Sequence, residues 1–152
     1  MRKVLFDTGV LLDVLLDRQP HAEASAAAWA AVETGAAEGL LAAHAVAAVH
    51  YLAAKELGPA KAKRLVSAIL RVFGIAPVDH AVLAEALQSP LSDFEDAVTA
   101  AAARLAACDC LVTRDPKGFR ASLPPPPRRA HTPRSHHAAP RHPIALHWYF
   151  PQ

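Results

Sequence analysis

Three aspartates in this chain stand where carboxylates do chemistry. Asp7 follows the apolar run RKVLF at residues 2–6. Asp96 lies at the start of the segment SDFEDAVTAAAARL, and Asp115 comes just after the apolar run LVT at residues 111–113. Mg2+ and Mn2+ prefer hard oxygen ligands and take a few carboxylates, completing their shells with water. Carboxylates gathered without a cation repel one another. With one, they make a site that activates water and neutralises a phosphodiester in its transition state. The implied chemistry is metal-assisted phosphodiester hydrolysis, with Asp7, Asp96 and Asp115 as both catalytic acids and metal ligands.

Neighbouring residues extend this set. Asp93 is a further candidate ligand. Thr8 and Thr113 carry hydroxyls able to hold a water or a carboxylate. Arg114 and Lys117 flank Asp115 and are placed to meet a nucleic-acid phosphate. Each residue also has a structural reading. An aspartate after a strand often forms a turn, and an acid in the first turn of a helix favours the helix dipole. Ser92 with Glu95 three residues on reads as a capping box.

These residues need elements to position them. RKVLF suits a buried parallel strand. VLLDVLLD, residues 10–17, follows as a short, mostly buried helix with Asp13 and Asp17 on its polar side. Residues 21–36 form a second helix around Trp29, stopped by Gly35 or Gly39. GLLAA at 39–43 is a second strand. AVAAVHYLAAKEL is a helix ended by Gly58 and Pro59. KAKRLVSAILRVF is amphipathic, with Leu65, Ile69 and Val72 along its apolar stripe. IAPV at 75–78 is a third strand, and Asp79 caps the helix HAVLAEALQ. The helix beginning near Ser92 and the strand LVT complete the order. Strands alternating with helix pairs predict an α/β fold: three layers, α/β/α, around a central parallel sheet of four to five strands. In such sheets functional groups gather beyond the carboxyl ends of the strands, where Asp7 and Asp115 both fall.

At 152 residues, 53% of them hydrophobic, the chain holds one domain with a sizeable core. Its net charge of +2 conceals a division. Five of the 16 basic residues and none of the 14 acids lie from Arg120 onward, which leaves residues 1–119 with 11 basic and 14 acidic side chains, a net charge of −3. The domain is assigned to residues 1–123. Residues 124–152 open on four consecutive prolines and are rich in proline, arginine and histidine. They read as an extended, disordered tail whose apolar end, IALHWYF, is suited to docking. The cysteines, Cys108 and Cys110, have no ligand cluster around them and read as buried thiols. No signal peptide or membrane-length apolar run is visible, so the expected location is the cytoplasm.

Two stretches together resemble a known family. KVLFDTGVLLDVLL, residues 3–16, is similar to the opening strand and first acid of PIN-domain proteins, more closely of VapC-type toxin ribonucleases. DFEDAVTAAAARLAACDCLVTRDPKGF, residues 93–119, resembles their acidic helix, apolar strand and T-R-D ending. The resemblance spans residues 2 to about 123. It implies a Mg2+- or Mn2+-dependent endoribonuclease acting on RNA, the toxin of a type II toxin–antitoxin pair. A cognate antitoxin and a homodimer are implied with it. Carried over by position, Asp7, Asp96 and Asp115 form the acidic cluster.

The chain departs from that pattern in three places. Ala48 stands where the family carries an acidic or polar residue. Gly9 replaces a common asparagine, and the tail replaces the closing strand. His44, one turn before Ala48 on the same face, reads as a helix-start or core histidine. A second reading therefore stands beside the nuclease: a degenerate PIN scaffold that binds an antitoxin or RNA without cleaving.

Overall fold

The computed structural model describes residues 1–115, 119 and 147–149. The chain opens with β1 (Arg2–Phe6), α1 (Thr8–Leu15) and α2 (Ala22–Glu33). Then come β2 (Ala37–Ala42), α3 (Ala43–Leu57), α4 (Pro59–Val72) and β3 (Gly74–Ala76). Last are α5 (His80–Leu87), α6 (Phe94–Leu105), β4 (Cys110–Thr113) and β5 (His147–Tyr149). The sheet order is β3-β2-β1-β4-β5. Strands β1 to β4 are mutually parallel, and β5 joins β4 antiparallel. Among the described residues six helices cover the four parallel strands, which is the expected three-layer α/β/α architecture.

Strands β1, β2 and β4 are largely buried on both faces, as parallel strands between helices must be. Val4 and Phe6 of β1 point into one layer with residues of α1, α2, α3 and α4. Leu5 points into the other with residues of α5 and α6. Alanine makes the second layer close-packed: Ala97, Ala101, Ala102 and Ala103 of α6 are all buried there. The first layer is anchored by aromatic rings. Phe73 meets Phe6 edge-on at 5.1 Å and Trp29 at 5.0 Å between centroids, a favoured arrangement of ring quadrupoles.

Element boundaries follow local chemistry. Gly35 and Gly58 adopt positive φ where α2 and α3 end, and Pro59 starts α4 at its first position. Asp79 caps α5 by accepting a hydrogen bond from Val82 N at 3.1 Å. Along α4, Ile69 and Ala62 are the buried residues, while Leu65 and Val72 are half-buried.

Three assignments change. Asp13, expected on the polar side of α1, is completely buried. Helix α6 begins at Phe94 with Asp93 as its N-cap, so the Ser92–Glu95 capping box does not form. Within the tail, His147–Tyr149 pairs with Leu111–Thr113 of β4, so this part of the apolar end belongs to the sheet. The boundary after residue 123 and the rest of the tail lie outside the described residues.

Gly39 shows how tightly the anchored layer is packed. A Cβ there would sit 2.6 Å from Phe73 Cδ1 and 2.7 Å from Val32 Cγ1, and Phe73 is held by two other rings. Gly39→Ala should therefore destabilise the fold by roughly 1–3 kcal/mol, the usual scale for overpacking. Urea unfolding followed by circular dichroism will measure it as a lowered midpoint with unchanged slope.

Candidate active site

The site begins with the register of two strands. Phe6 of β1 pairs with Val112 of β4, so one step further Asp7 and Thr113 lie side by side at the carboxyl ends. Asp7 N donates to Val112 O at 3.0 Å. Thr113, fully buried, joins the two aspartates of this edge. Its Oγ1 donates to Asp7 Oδ2 at 2.9 Å and accepts from Asp115 N at 3.1 Å. The hydroxyl expected to hold a carboxylate does so. Burial pushes the Asp7 carboxyl above its ordinary value and the nearby Glu95 charge adds to this, while the Thr113 hydrogen bond, the Thr8 amide and Arg114 pull it back.

The second half of the site comes from the start of α6. Asp93 Oδ1 accepts from Asp96 N at 2.9 Å, satisfying one of the amides that a helix N-terminus leaves open. One oxygen of Asp93 is thus committed to the cap. Glu95, not needed for capping, acts by its charge on Asp7, His44 and Asp96. Asp96 is half-buried, and its carboxyl is pushed up to about 6. Burial is the largest cause, followed by the charges of Asp7, Asp93, Asp115 and Glu95. Asp7, Asp96 and Asp115 therefore share one electrostatic neighbourhood, and Asp93 and Glu95 belong to it.

His44 belongs to it as well. Its imidazole feels Glu95 and Asp7, and burial holds it below its ordinary value. Its Nε2 lies 3.5 Å from Thr99 Oγ1, while its buried Nδ1 has no hydrogen-bond partner among the described residues. The Thr8 hydroxyl is buried, also without a partner among them. Ala48 places only a half-buried methyl one turn along α3. Among the described residues no three acidic, histidine or cysteine side chains converge closely enough to enclose an ion. The acids form an electrostatic cluster, not a closed cage. In chemistry the donor set still fits a hard cation. Carboxylates raise one another's affinity for positive charge, and two buried polar atoms beside them have unmet hydrogen-bonding capacity.

Of the two flanking cations, Lys117 lies outside the described residues. Arg114 turns inward: its Nη1 donates to Asp13 Oδ1 at 2.7 Å. The other oxygen of Asp13 accepts from Ser25 Oγ at 3.1 Å. Asp13 and Ser25 are both completely buried. Neither was legible as part of the site. The only sequence signal was an aspartate within an otherwise apolar helix, facing a helix with few polar residues.

The raised Asp96 carboxyl has a stability consequence with a definite sign. Folding moves it from 3.8 to about 6, so between those values the folded chain binds more protons than the unfolded one. This group then favours folding at low pH and loses that contribution as pH rises through 6. The melting temperature of the metal-free protein should therefore gain from Asp96 as pH falls from about 6 towards 3.8. Asp96→Asn should remove that gain and stabilise the protein at neutral pH. An unchanged slope in the variant would show that the Asp96 carboxyl is not raised by folding.

Comparison with known proteins agrees with the fold. A toxin–antitoxin complex from Klebsiella pneumoniae superposes with a TM-score of 0.60 at 22% identity, covering 77% of this chain and 90% of that one. A VapBC complex from Rickettsia felis, bound to promoter DNA, gives 0.62 at 12%, covering 78% and 92%. The sarcin–ricin-loop-cleaving VapC toxin of Mycobacterium tuberculosis gives 0.64 at 15%, covering 78% and 94%. At these identities the likeness is one of fold. No curated protein matches the sequence closely. The PIN-domain profile matches residues 3–117, well over half of the sequence, and the chain belongs to the PIN-domain family.

Proposed function

We propose that this protein is a Mg2+- or Mn2+-dependent endoribonuclease, the toxin of a type II toxin–antitoxin pair. The observation that carries the reading is that the Asp96 carboxyl, raised first by burial, also feels the charges of Asp7 and Asp115, which Thr113 links to each other at one edge of a PIN fold. Asp7, Asp96 and Asp115 would hold the ion, with Asp93 offering the oxygen not engaged in the cap. The ion would supply positive charge for the phosphodiester and acidify a water. Thr113 fixes the orientation of Asp7, and the α6 cap holds Asp96 at the site. Neutral His44 is available as a hydrogen-bond partner beside Asp7. Lys117 is assigned to the RNA backbone, where a lysine acts as a point charge on phosphate. Arg114 would share that role only through the part of its guanidinium turned away from Asp13.

A cognate antitoxin and a homodimer complete the proposal. Similar folds described as toxin–antitoxin complexes support the antitoxin. Among the described residues no helix is long and apolar enough to cross a membrane, in keeping with an enzyme that meets RNA in the cytoplasm. One observation favours a second reading, a scaffold that binds without cutting: Ala48 adds no ligand to the cluster.

A single experiment separates the two. The purified protein is incubated with structured and single-stranded RNAs in Mg2+, Mn2+ or EDTA, beside Asp7→Asn, Asp96→Asn and Ala48→Glu. The nuclease reading expects cleavage that EDTA abolishes and that each Asp→Asn change lowers by about 100-fold or more, the scale for losing a group that stabilises developing charge. Cleavage by Ala48→Glu alone would favour the scaffold. Undiminished cleavage by both aspartate variants would show that the site is elsewhere.

A further inference from the structure

We propose that Asp13 is a positioning residue for this site: buried in α1, it draws the Arg114 guanidinium across Gly9 and so fixes the Thr113–Arg114–Asp115 turn that orients Asp7 and Asp115. Its catalytic consequence rests on the nuclease reading; its structural consequence does not.

A fully buried carboxylate is costly unless it is paired and hydrogen-bonded. Asp13 meets both conditions. One oxygen takes a charge-assisted hydrogen bond from Arg114 and the other a hydroxyl from Ser25 of α2. The two partners come from distant parts of the chain, so Asp13 ties α2 to the end of β4. A solvated surface pair would be interchangeable with many others. This one has a fully buried acid and an arginine side chain only about one-third exposed, which gives it a single geometry.

Gly9 provides the path. It lies in the first turn of α1, where glycine disfavours the helix and where its φ is not positive. A Cβ at this position would stand 3.3 Å from Arg114 Nε, 3.8 Å from its Cζ and 3.9 Å from its Cδ. The missing side chain is thus the space along which Arg114 runs to reach Asp13. The helix-disfavouring residue and the buried acid one turn later are explained together.

The anchored residue sits between the two groups that define the site edge. Residue 113 donates to Asp7 and residue 115 donates back to residue 113. Holding the Arg114 side chain limits rotation of the peptide units on either side, on which both bonds depend. Ser25, Asp13 and Arg114 therefore act on Asp7 and Asp115 without touching the reacting atoms.

The test uses the full chain and three single variants, Asp13→Asn, Arg114→Gln and Gly9→Asn, with the double variant Asp13→Asn/Arg114→Gln. Amide hydrogen exchange of the metal-free protein is read at Asp115 and Asp7, with Leu5 and Leu40 as controls in the sheet interior. Faster exchange at Asp115, by about tenfold or more with the controls unchanged, is expected in every variant. With RNA, kcat should fall about tenfold or more in every variant, and in Asp13→Asn and Gly9→Asn KM should stay within about twofold, the signature of misplaced groups and not of lost binding. The double variant should be no worse than the single ones, as for residues acting as one unit. Unchanged Asp115 exchange in Asp13→Asn overturns the proposal. So does a raised KM with unaltered kcat in Arg114→Gln, which would make Arg114 a phosphate contact. Should Asp13→Asn not fold, Gly9→Asn and Arg114→Gln decide by the same readouts. A wild-type protein inert toward RNA would refute the nuclease reading, and the exchange measurements would still decide the role of Asp13.

Discussion

Repulsion between like charges sets the terms for this molecule. Asp7, Asp93, Glu95 and Asp115 stand near Asp96, and burial together with their charges raises its carboxyl. Nothing in the acids themselves keeps them together. The surroundings do so with a buried hydroxyl between Asp7 and Asp115, a cap that uses one acid to hold the amide of another, and an arginine anchored close by. Strain of this kind is common where a structure is arranged to receive an opposite charge.

The topology makes this economical. Strands β1 and β4 are separated by about a hundred residues yet lie side by side in the middle of the sheet. Their carboxyl ends coincide because the strands are parallel and in register, so two acids distant in sequence arrive at one edge. Helix α6 packs on the layer behind β4 through its alanines, which brings its first turn, with Asp93 and Asp96, to the same edge. A bulkier helix face would hold that turn farther from the sheet.

Much of this was legible from residues alone. Asp7 and Asp115 were marked by the apolar runs that precede them, and Asp96 by its place at the head of an alanine-rich amphipathic segment. The succession of strands and helices along the chain and the caps at Gly58, Pro59 and Asp79 followed from local chemistry. What escaped depended on contacts between elements. Asp13 sits in a helix that could present it to water or to α2, and only the packing of α2 decides. S-D-F-E permits a cap at Ser92 or at Asp93, and the choice rests on where the helix meets the sheet. His44 looked like a core histidine because its nearness to Glu95 and Asp7 arises only when α3 and α6 meet around the sheet edge.

The alanine-lined layer has a thermal consequence. Each buried alanine removes less apolar surface from water than a leucine or phenylalanine would, and the heat-capacity change of unfolding scales with the apolar surface exposed. A domain assembled this way has a flatter stability curve than one of equal length built on bulky anchors. Its cohesion changes gently between cold and warm conditions, with no temperature at which it is strongly reinforced. The acidic edge is therefore carried by a scaffold whose reserve against its internal repulsion is modest but even across the thermal range.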